Sequence, residues 1–338
     1  MPEAIRFVIL NLRGGSKLQP GQLDKQICDR LQKGLSLCRR PFSDIAEELG
    51  VSEDEILSRV NKLLEAGVIR RLSAMINYRS LGRASTLVAA AVDDDRIEEV
   101  AGVISGLENV SHNYQRDHFY NLWFTLQGQD QADIDGQLKK LSDELKIDFK
   151  SLPVERFFKL DVNFDIADGS NKVTEKKNLA EQVVELTDLQ KKILTKIQQP
   201  IKPVADAFDF LCDDETDIDA ALEVLRQLKN AGVIKRLAAV LNYRLLGYDA
   251  NVMFVCKIDE SAAESAGRKL AAYRQVSHCY QRKTFAGFDY NLFAMIHAKT
   301  MGEIVCLIDE FVASENITDY QLLTTVREFK KKPVQHQF

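Results

Sequence analysis

"AGVIRRLSAMINYRSLG" at residues 66–82 returns as "AGVIKRLAAVLNYRLLG" at residues 231–247. The landmarks that follow return as well: "VSHNYQR" (110–116) as "VSHCYQR" (276–282), and "YNLWF" (120–124) as "YNLFA" (290–294). Their spacing is nearly the same in both halves. The chain is therefore a tandem duplication with a period near half its length, two similar lobes rather than a solenoid of short repeats. The charged stretch with Gly, Ser and Asn, "DIADGSNKVTEKKNLAEQ" (165–182), reads as the linker between them.

Upstream of the first copy the pattern is helical. "LDKQICDRLQKG" has an amphipathic period, and "PFSDIAEELG" is a short helix ended by Gly50. In "VSEDEILSRVNKLLEAG", Ser52 is placed to cap a helix with Glu55 three residues on, a capping box, and Gly67 closes it. Helix, helix, turn, helix, then the strand "VIRRLSAMIN" is a winged helix-turn-helix. Downstream, "STLVAAAV", "ENVSHNYQ", "FYNLWFTLQG" and "KSLPVERFFKL" read as strands, with "DRIEEVAGVISG" and "QADIDGQLKKLSDEL" as helices between them. That order is βαββαβ, the ferredoxin-like arrangement. The expected fold is α+β: a winged helix-turn-helix over 22–82, a ferredoxin-like domain over 83–165, a linker over 166–186, and the same pair over 187–247 and 248–330. In the second copy "CDDETDIDAALEVLRQLKN" blurs the helix-turn-helix pattern.

Composition narrows the function. The 338 residues suffice for roughly two domains of ordinary size. A formal net charge of −5 gives no whole-molecule attraction to nucleic acid or an anionic membrane, so an anionic ligand must meet a local basic patch. No apolar run approaches the ~20 residues of a membrane span. The opening "MPEAIRFVILNLRGG" carries Glu3, is interrupted by arginine and lacks a small-residue cleavage site, which argues against a signal peptide. Six scattered cysteines without a CxxC pair read as reduced thiols of a cytoplasmic protein. Phosphate-loop, HExxH and GxSxG patterns are absent from the sequence.

"VSHNYQRDHFYNLWFTL" (110–126) is the stretch that asks for a ligand. Read with period two, His112, Tyr114, Arg116 and His118 fall on one side of a strand. Such a face either pairs internally in a core or meets something acidic. A winged helix followed by βαββαβ resembles the Lrp/AsnC family of transcription regulators. Residues 23–72 look like that family's DNA-binding region, and "FDY" (288–290) like its hairpin. "GVIRRL", "NYRSLG" and "HNYQRDHFYNLWFTL" resemble a specialised branch, the siroheme decarboxylases, in the form that fuses two related subunits. The resemblance runs from Leu23 to Lys330.

That resemblance implies removal of the carboxyl groups from two acetate side chains of siroheme, giving 12,18-didecarboxysiroheme, in heme or heme d1 biosynthesis. It implies no cofactor beyond the iron tetrapyrrole substrate. Siroheme carries eight carboxylates on a flat apolar ring, so its site needs guanidinium groups, apolar or aromatic walls and a proton donor. When an acetate loses carbon dioxide, the methylene left behind must gain a proton, a task that suits an imidazole. His112 and His118 are the candidates for acid and for carboxylate or iron contact. Arg116 is a candidate carboxylate clamp. Tyr114, Tyr120 and Asn121 can hydrogen-bond, Trp123 can pack on the ring, and Arg70 and Arg71 can reach the same cleft.

The second repeat keeps His278, Tyr280 and Arg282, with Lys235 and Arg236 as further carboxylate contacts. It has Lys283, Thr284 and a four-residue insertion where the first has Asp117 and His118. The first repeat is therefore the expected reactive lobe and the second a scaffold and pocket wall, in an internal pseudo-dimer that can assemble further. A blander reading stands beside each residue: structural histidines, solvent-facing Arg70 and Arg71, core Trp123 and Phe124. A resident metal is not expected, since His112, His118 and Cys279 match no standard ligand spacing. His297 and His336 have no counterpart in repeat one, and His336, in the tail, is expected in solvent. DNA binding is disfavoured because the candidate recognition helix opens with Glu53, Asp54 and Glu55. A ligand-sensing regulator and a non-enzymatic tetrapyrrole carrier are the alternative functions.

Overall fold

The computed structural model describes residues 20–160, 183–336 and 338. The opening stretch and most of the expected linker lie outside them. Lobe 1 begins with helices α1 (Gln22–Lys33), α2 (Pro41–Leu49) and α3 (Glu53–Glu65), followed by strand β1 (Ile69–Ile76). Gly50 ends α2 in the left-handed region (φ 67°), where a side chain is strained. Ser52 Oγ accepts the Glu55 N–H at 3.2 Å, as its sequence position predicts. The Glu55 carboxylate pairs with Arg59 at 2.9 Å. The ferredoxin-like part is β2 (Ala84–Ala90), α4 (Ile97–Gly106), β3 (Val110–Arg116), β4 (Leu122–Gly128), α5 (Gln131–Leu145) and β5 (Lys150–Leu160).

Lobe 2 repeats this with one loss. It runs α6 (Asp188–Lys196), α7 (Ile218–Asn230), β6 (Ile234–Leu241), β7 (Ala250–Cys256), α8 (Glu260–Ala272), β8 (Val276–Arg282), β9 (Leu292–Ala298), α9 (Met301–Ser314) and β10 (Tyr320–Lys331). Where lobe 1 has α2, lobe 2 has a single 3-10 turn, Asp209–Leu211. Pro200 and Pro203 precede it and deny backbone donors to a longer helix. The expected second winged helix thus lacks its middle helix.

The packing units do not follow sequence order. β1 and β6 pair antiparallel, Ile69 opposite Leu241 and Ile76 opposite Ile234. Helices of both lobes bury one core against this ribbon, with Ile27, Phe42 and Ile56 from lobe 1 and Ile193, Phe208 and Leu225 from lobe 2. The remaining strands form a second shared unit. Each lobe has the ferredoxin-like order, β5-β2-β4-β3 and β10-β7-β9-β8, and the two sheets close into one eight-stranded barrel. The last strand of each lobe does the closing. β5 pairs with β2 through Pro153 and with β8 from Val154; β10 pairs with β7 through Thr324 and with β3 from Thr325.

Both strand faces are therefore buried. Leu122 and Phe124 pack under α4 and α5, while Trp123 between them points into the barrel with Leu152, Met253, Phe288 and Phe293. Burying a ring of that size is worth roughly 4 kcal/mol at ~25 cal/mol/Å². α8 lies so close to β5 that a Cβ at Gly267 would collide with the Phe158 ring. Among the described residues no helix is long and apolar enough to cross a membrane.

Candidate active site

Alternation along β3 sorts the candidate residues. Asn113 is buried outward, its Nδ2 donating to Ala101 O (3.1 Å) and Ser105 Oγ (3.0 Å) on α4. His112, Tyr114 and Arg116 therefore face inward. Arg116 is 5% exposed and, among the described residues, has no carboxylate as a hydrogen-bond partner. Its Nη1 donates to Leu323 O (3.1 Å) and Thr325 Oγ1 (3.3 Å), where β10 changes partner sheet. Arg282 does the same in lobe 2, donating to Leu152 O at 2.7 Å where β5 changes partner. Each strand leaves a carbonyl behind on switching sheets, and each arginine satisfies it. Burial lowers both guanidinium pKa values to about 10. The expected carboxylate clamps Arg116 and Arg282 are thus barrel-closing staples, a role invisible until the strand crossing exists.

His112 lies at the other end of β3. Ser111 Oγ is 2.8 Å from its Nδ1, and its ring stacks on Tyr114 at 6.1 Å between centroids. Burial, then Lys331, His278, Arg71 and Arg70, pushes the imidazole pKa down to about 3. The ring is neutral at neutral pH. β10 runs beside it, Glu328 opposite Tyr114 and Lys331 opposite His112. Arg70 meets Glu328 at 3.6 Å. Arg71 donates to Ser73 Oγ at 3.3 Å, and burial with Arg70 beside it lowers its pKa. Burial first, then Arg70, also holds Lys331 below the usual lysine range.

A further cation comes from lobe 2. Asn242 N–H donates to Val68 O at 2.8 Å, which sets the turn after β6 beside the start of β1. Arg244, in that turn, acts on both Tyr114 and Lys331. Arg70, Arg71, Arg244 and Lys331 so gather around His112 and Tyr114 with Glu328 as their carboxylate. Arg71 is half-buried, while Arg70, Arg244 and Lys331 keep much of their surface in solvent, so the group forms a cationic rim around the two inward rings. Arg244, Lys331 and Glu328 were not among the residues singled out in the sequence. Arg244 stands in the repeated "NYR", which marked it, but nothing local tied it to the other lobe's histidine.

The lobe 2 counterpart is built differently. Ser277 Oγ is 2.8 Å from His278 Nδ1, but His297 Nε2 also reaches it at 3.1 Å. Burial drives His297 down to about 3 as well. β5 sets Phe157 opposite Tyr280 and position 160, a leucine, opposite His278. The Phe157 ring meets Tyr280 edge-on at 4.8 Å, with Arg79 at 5.4 Å and Lys235 at 5.5 Å from its centroid. Arg236 Nε contacts Met75 Sδ at 3.2 Å. Aromatic and leucine positions stand here where lobe 1 has Glu328 and Lys331.

The structure separates His118 from His112. Four strand steps of ~3.3 Å, about 13 Å in all, separate His112 from Arg116, and His118 is beyond. Its Nδ1 accepts the Tyr120 N–H at 2.9 Å, Gln321 supplies a side-chain hydrogen bond, and its ring packs on Phe288. The lobe 2 insertion provides Phe285 and Phe288, which pack on Tyr120. Trp123 is 1% exposed and donates to Tyr120 O at 2.5 Å. Asn121 staples Val92, accepting its N–H at 3.0 Å and donating to its carbonyl at 2.7 Å. These expected substrate contacts are packing residues of the hairpin tip, because the strand carries them to the far end of the barrel.

Two further expectations change. The His336 ring is half-buried, 4.2 Å from Tyr78 between centroids and 2.7 Å from Gln127 Oε1, and Gln198 clamps its backbone from both sides at 2.7 Å. Tail contacts with lobe 1 and α6 hold it out of solvent. Cys279 is fully buried, its thiol directed at Gly267 O on the helix side of the sheet, away from both histidines. Among the described residues no cluster of His, Cys, Asp and Glu could hold a metal ion. Two surface hollows, one at Asp24, Glu55 and Arg59, the other at Lys257, Thr284 and Asp289, lie away from the His112 cluster.

This is a duplicated winged-helix and ferredoxin-like protein with a cationic cluster at His112 assembled from both copies. An AsnC-like ligand-binding domain model matches residues 80–159 and 245–330, and a siroheme decarboxylase NirDL-like HTH model matches 24–70. The siroheme decarboxylase of Hydrogenobacter thermophilus is 36% identical over 312 residues, covering 90% of this chain and 92% of the relative. The NirD subunit of the Stutzerimonas stutzeri enzyme is 40% identical over 148 residues, 44% of this chain and 97% of the subunit. A crystal structure of the siroheme decarboxylase NirDL with an iron-uroporphyrin III analogue superposes with a TM-score of 0.70 at 32% identity, covering 94% of this chain and 95% of that one. The chain belongs to the siroheme decarboxylase family.

Proposed function

We propose that this enzyme decarboxylates siroheme, with the reacting acetate held against His112 by Arg70, Arg71, Arg244 and Lys331. The gathering of these cations around one inward histidine carries the reading. An acetate carboxylate entering the cluster offsets the repulsion among the cations and reverses the field at His112. Its pKa then rises from its depressed value, and the ring takes up a proton as substrate binds. The carbon–carbon bond to the carboxylate breaks, carbon dioxide leaves, and the methylene takes the His112 proton to become a methyl group. The conjugated ring carries the intervening negative charge, so no cofactor beyond the iron tetrapyrrole enters this scheme. Two such events yield 12,18-didecarboxysiroheme for heme or heme d1 synthesis, in the cytoplasm. The binding of an iron-uroporphyrin III analogue by the structural relative supports the ligand class.

The recognition helix gives little to a regulator. Arg40 is paired with Glu53 and Arg59 with Glu55, and Asn61 is tied to Pro203 O of lobe 2 at 3.4 Å. The test is anaerobic incubation of the purified chain with siroheme, followed by mass. Two successive losses of carbon dioxide are expected. Tight binding without a mass change makes the protein a carrier, and affinity for promoter DNA without tetrapyrrole binding makes it a regulator.

A further inference from the structure

The serine preceding the histidine is common to both repeats, yet its hydroxyl is bonded differently in each. Ser277 Oγ lies 2.8 Å from His278 Nδ1, 3.1 Å from His297 Nε2 and 3.2 Å from Met295 O. Asn251 Nδ2 lies 3.0 Å from His297 Nδ1, so His297 donates to Ser277 Oγ from Nε2, and one acceptor side of that hydroxyl is taken by a second imidazole. Three partners hold the Ser277 hydroxyl in place. Ser111 is 6% exposed, and its hydroxyl bonds His112 Nδ1 at 2.8 Å. The position of His297 is held in lobe 1 by Gln127, whose Oε1 turns to His336 at 2.7 Å. The Ser111 backbone is pinned, its carbonyl accepting the Lys332 N–H at 2.8 Å, while the hydroxyl is left able to rotate.

We propose that Ser111 is a positioning residue whose hydroxyl turns over when His112 takes up a proton at Nδ1, donating to Nδ1 of the resting neutral ring and accepting from Nδ1–H once the imidazolium has formed. The proposal rests on the reading of His112 as the acid. When the acetate carbon–carbon bond breaks, its electron pair stays on the methylene and carbon dioxide departs. The proton on His112 Nε2 moves to that carbon. His112 is left neutral with its hydrogen on Nδ1, still held by Ser111 Oγ, and a solvent proton recharges Nε2. Without the hydroxyl, the buried imidazolium has an N–H with no acceptor. Charge-assisted hydrogen bonds are the stronger kind, so the loss falls mainly on the charged form.

The test compares the full chain with its Ser111→Ala, Ser111→Thr and Ser277→Ala variants. Siroheme binding is read by absorbance titration and turnover by mass across pH. Failure of the unaltered enzyme to turn over would count against the parent reading, not against the serine. The expectation is that Ser111→Ala binds siroheme within about twofold of the unaltered chain. Its kcat falls roughly tenfold near neutrality, and the alkaline limb of its pH profile moves about one unit lower. Ser111→Thr restores both, and Ser277→Ala leaves the limb in place. A Ser111→Ala profile superimposable on that of the unaltered chain overturns the proposal, as does an equal shift in Ser277→Ala. Should Ser111→Ala not fold, Ser111→Cys, a weak acceptor, is read the same way.

Discussion

His112 and His278 begin with the same neighbours: a serine before, a tyrosine two residues on and an arginine four residues on. They end in different surroundings because the strand lying beside each comes from the opposite half of the chain. β10 brings Glu328 and Lys331 to His112 and Tyr114, whereas β5 brings Phe157 and Leu160 to the positions facing Tyr280 and His278. Duplication supplied two equivalent frames, and the bridging strands put Glu328 and Lys331 beside one and Phe157, with Arg79 and Lys235 at its ring, beside the other. On the proposed reading a carboxylate gains most in the lobe 1 frame, where it relieves repulsion among Arg70, Arg71, Arg244 and Lys331.

The sharpest way to break this comparison is to remove each histidine in turn. His112→Ala is expected to lower kcat by roughly 10²–10³, the range of a lost general acid, and His278→Ala by less than tenfold. Equal losses, measured by mass-detected turnover of folded variants, would falsify the division between lobes. Next in size is the conversion of one frame into the other. Glu328→Phe combined with Lys331→Leu should weaken siroheme binding by tenfold or more on the scale of a lost charged contact, and unchanged affinity in an absorbance titration would show that β10 does not define the site.

Arg244→Ala tests whether lobe 2 completes the lobe 1 site. A several-fold rise in KM with kcat nearly unchanged is expected for a group that holds carboxylate in ground and transition states alike; a pure kcat effect would assign it elsewhere. Buried neutral histidines also make stability depend on pH. The unfolded chain binds protons at His112 and His297 near pH 6.5, whereas the folded chain holds both down to about 3. Stability is therefore fully present above pH 6.5 and lost as pH falls toward 3, by at most ~1.4 kcal/mol per unit for each ring. The urea midpoint should drop between pH 7 and pH 5, and His297→Gln should flatten that slope. The smallest effect is expected at the hairpin tip. His118→Phe keeps an aromatic ring against Phe288, so turnover should stay within about threefold; its loss would return His118 to the reacting centre.

Much of the architecture was legible because it is local. The Ser52 cap, Gly50, the hairpin strands around residues 110–126 and the duplication itself are written in short stretches whose physics acts over a few residues. His112 and Tyr114 were legible as an inward pair by alternation. The same alternation placed Arg116 and His118 with them, and there the reading failed. Arg116 serves a carbonyl exposed by a strand crossing, and His118 sits beyond the strand's end against Phe288. Residues 328 and 331 carried no local mark, and the repeated "NYR" marked Arg244 without tying it to His112, since each belongs to an element whose neighbour is chosen by the other lobe.

The amino-acid sequence alone determined that there are two copies, what helices and strands they contain apart from the middle helix missing from the second, and which histidine repeats in both, because helix periods, caps and strand alternation act through near neighbours. Only the tertiary structure decided that the copies share one helical core and one barrel, that the cationic cluster draws on both, and that the two histidines of the β3–β4 hairpin stand apart. The reason is that β5 and β10 choose their second partners across the barrel, and that choice sets the field at each histidine.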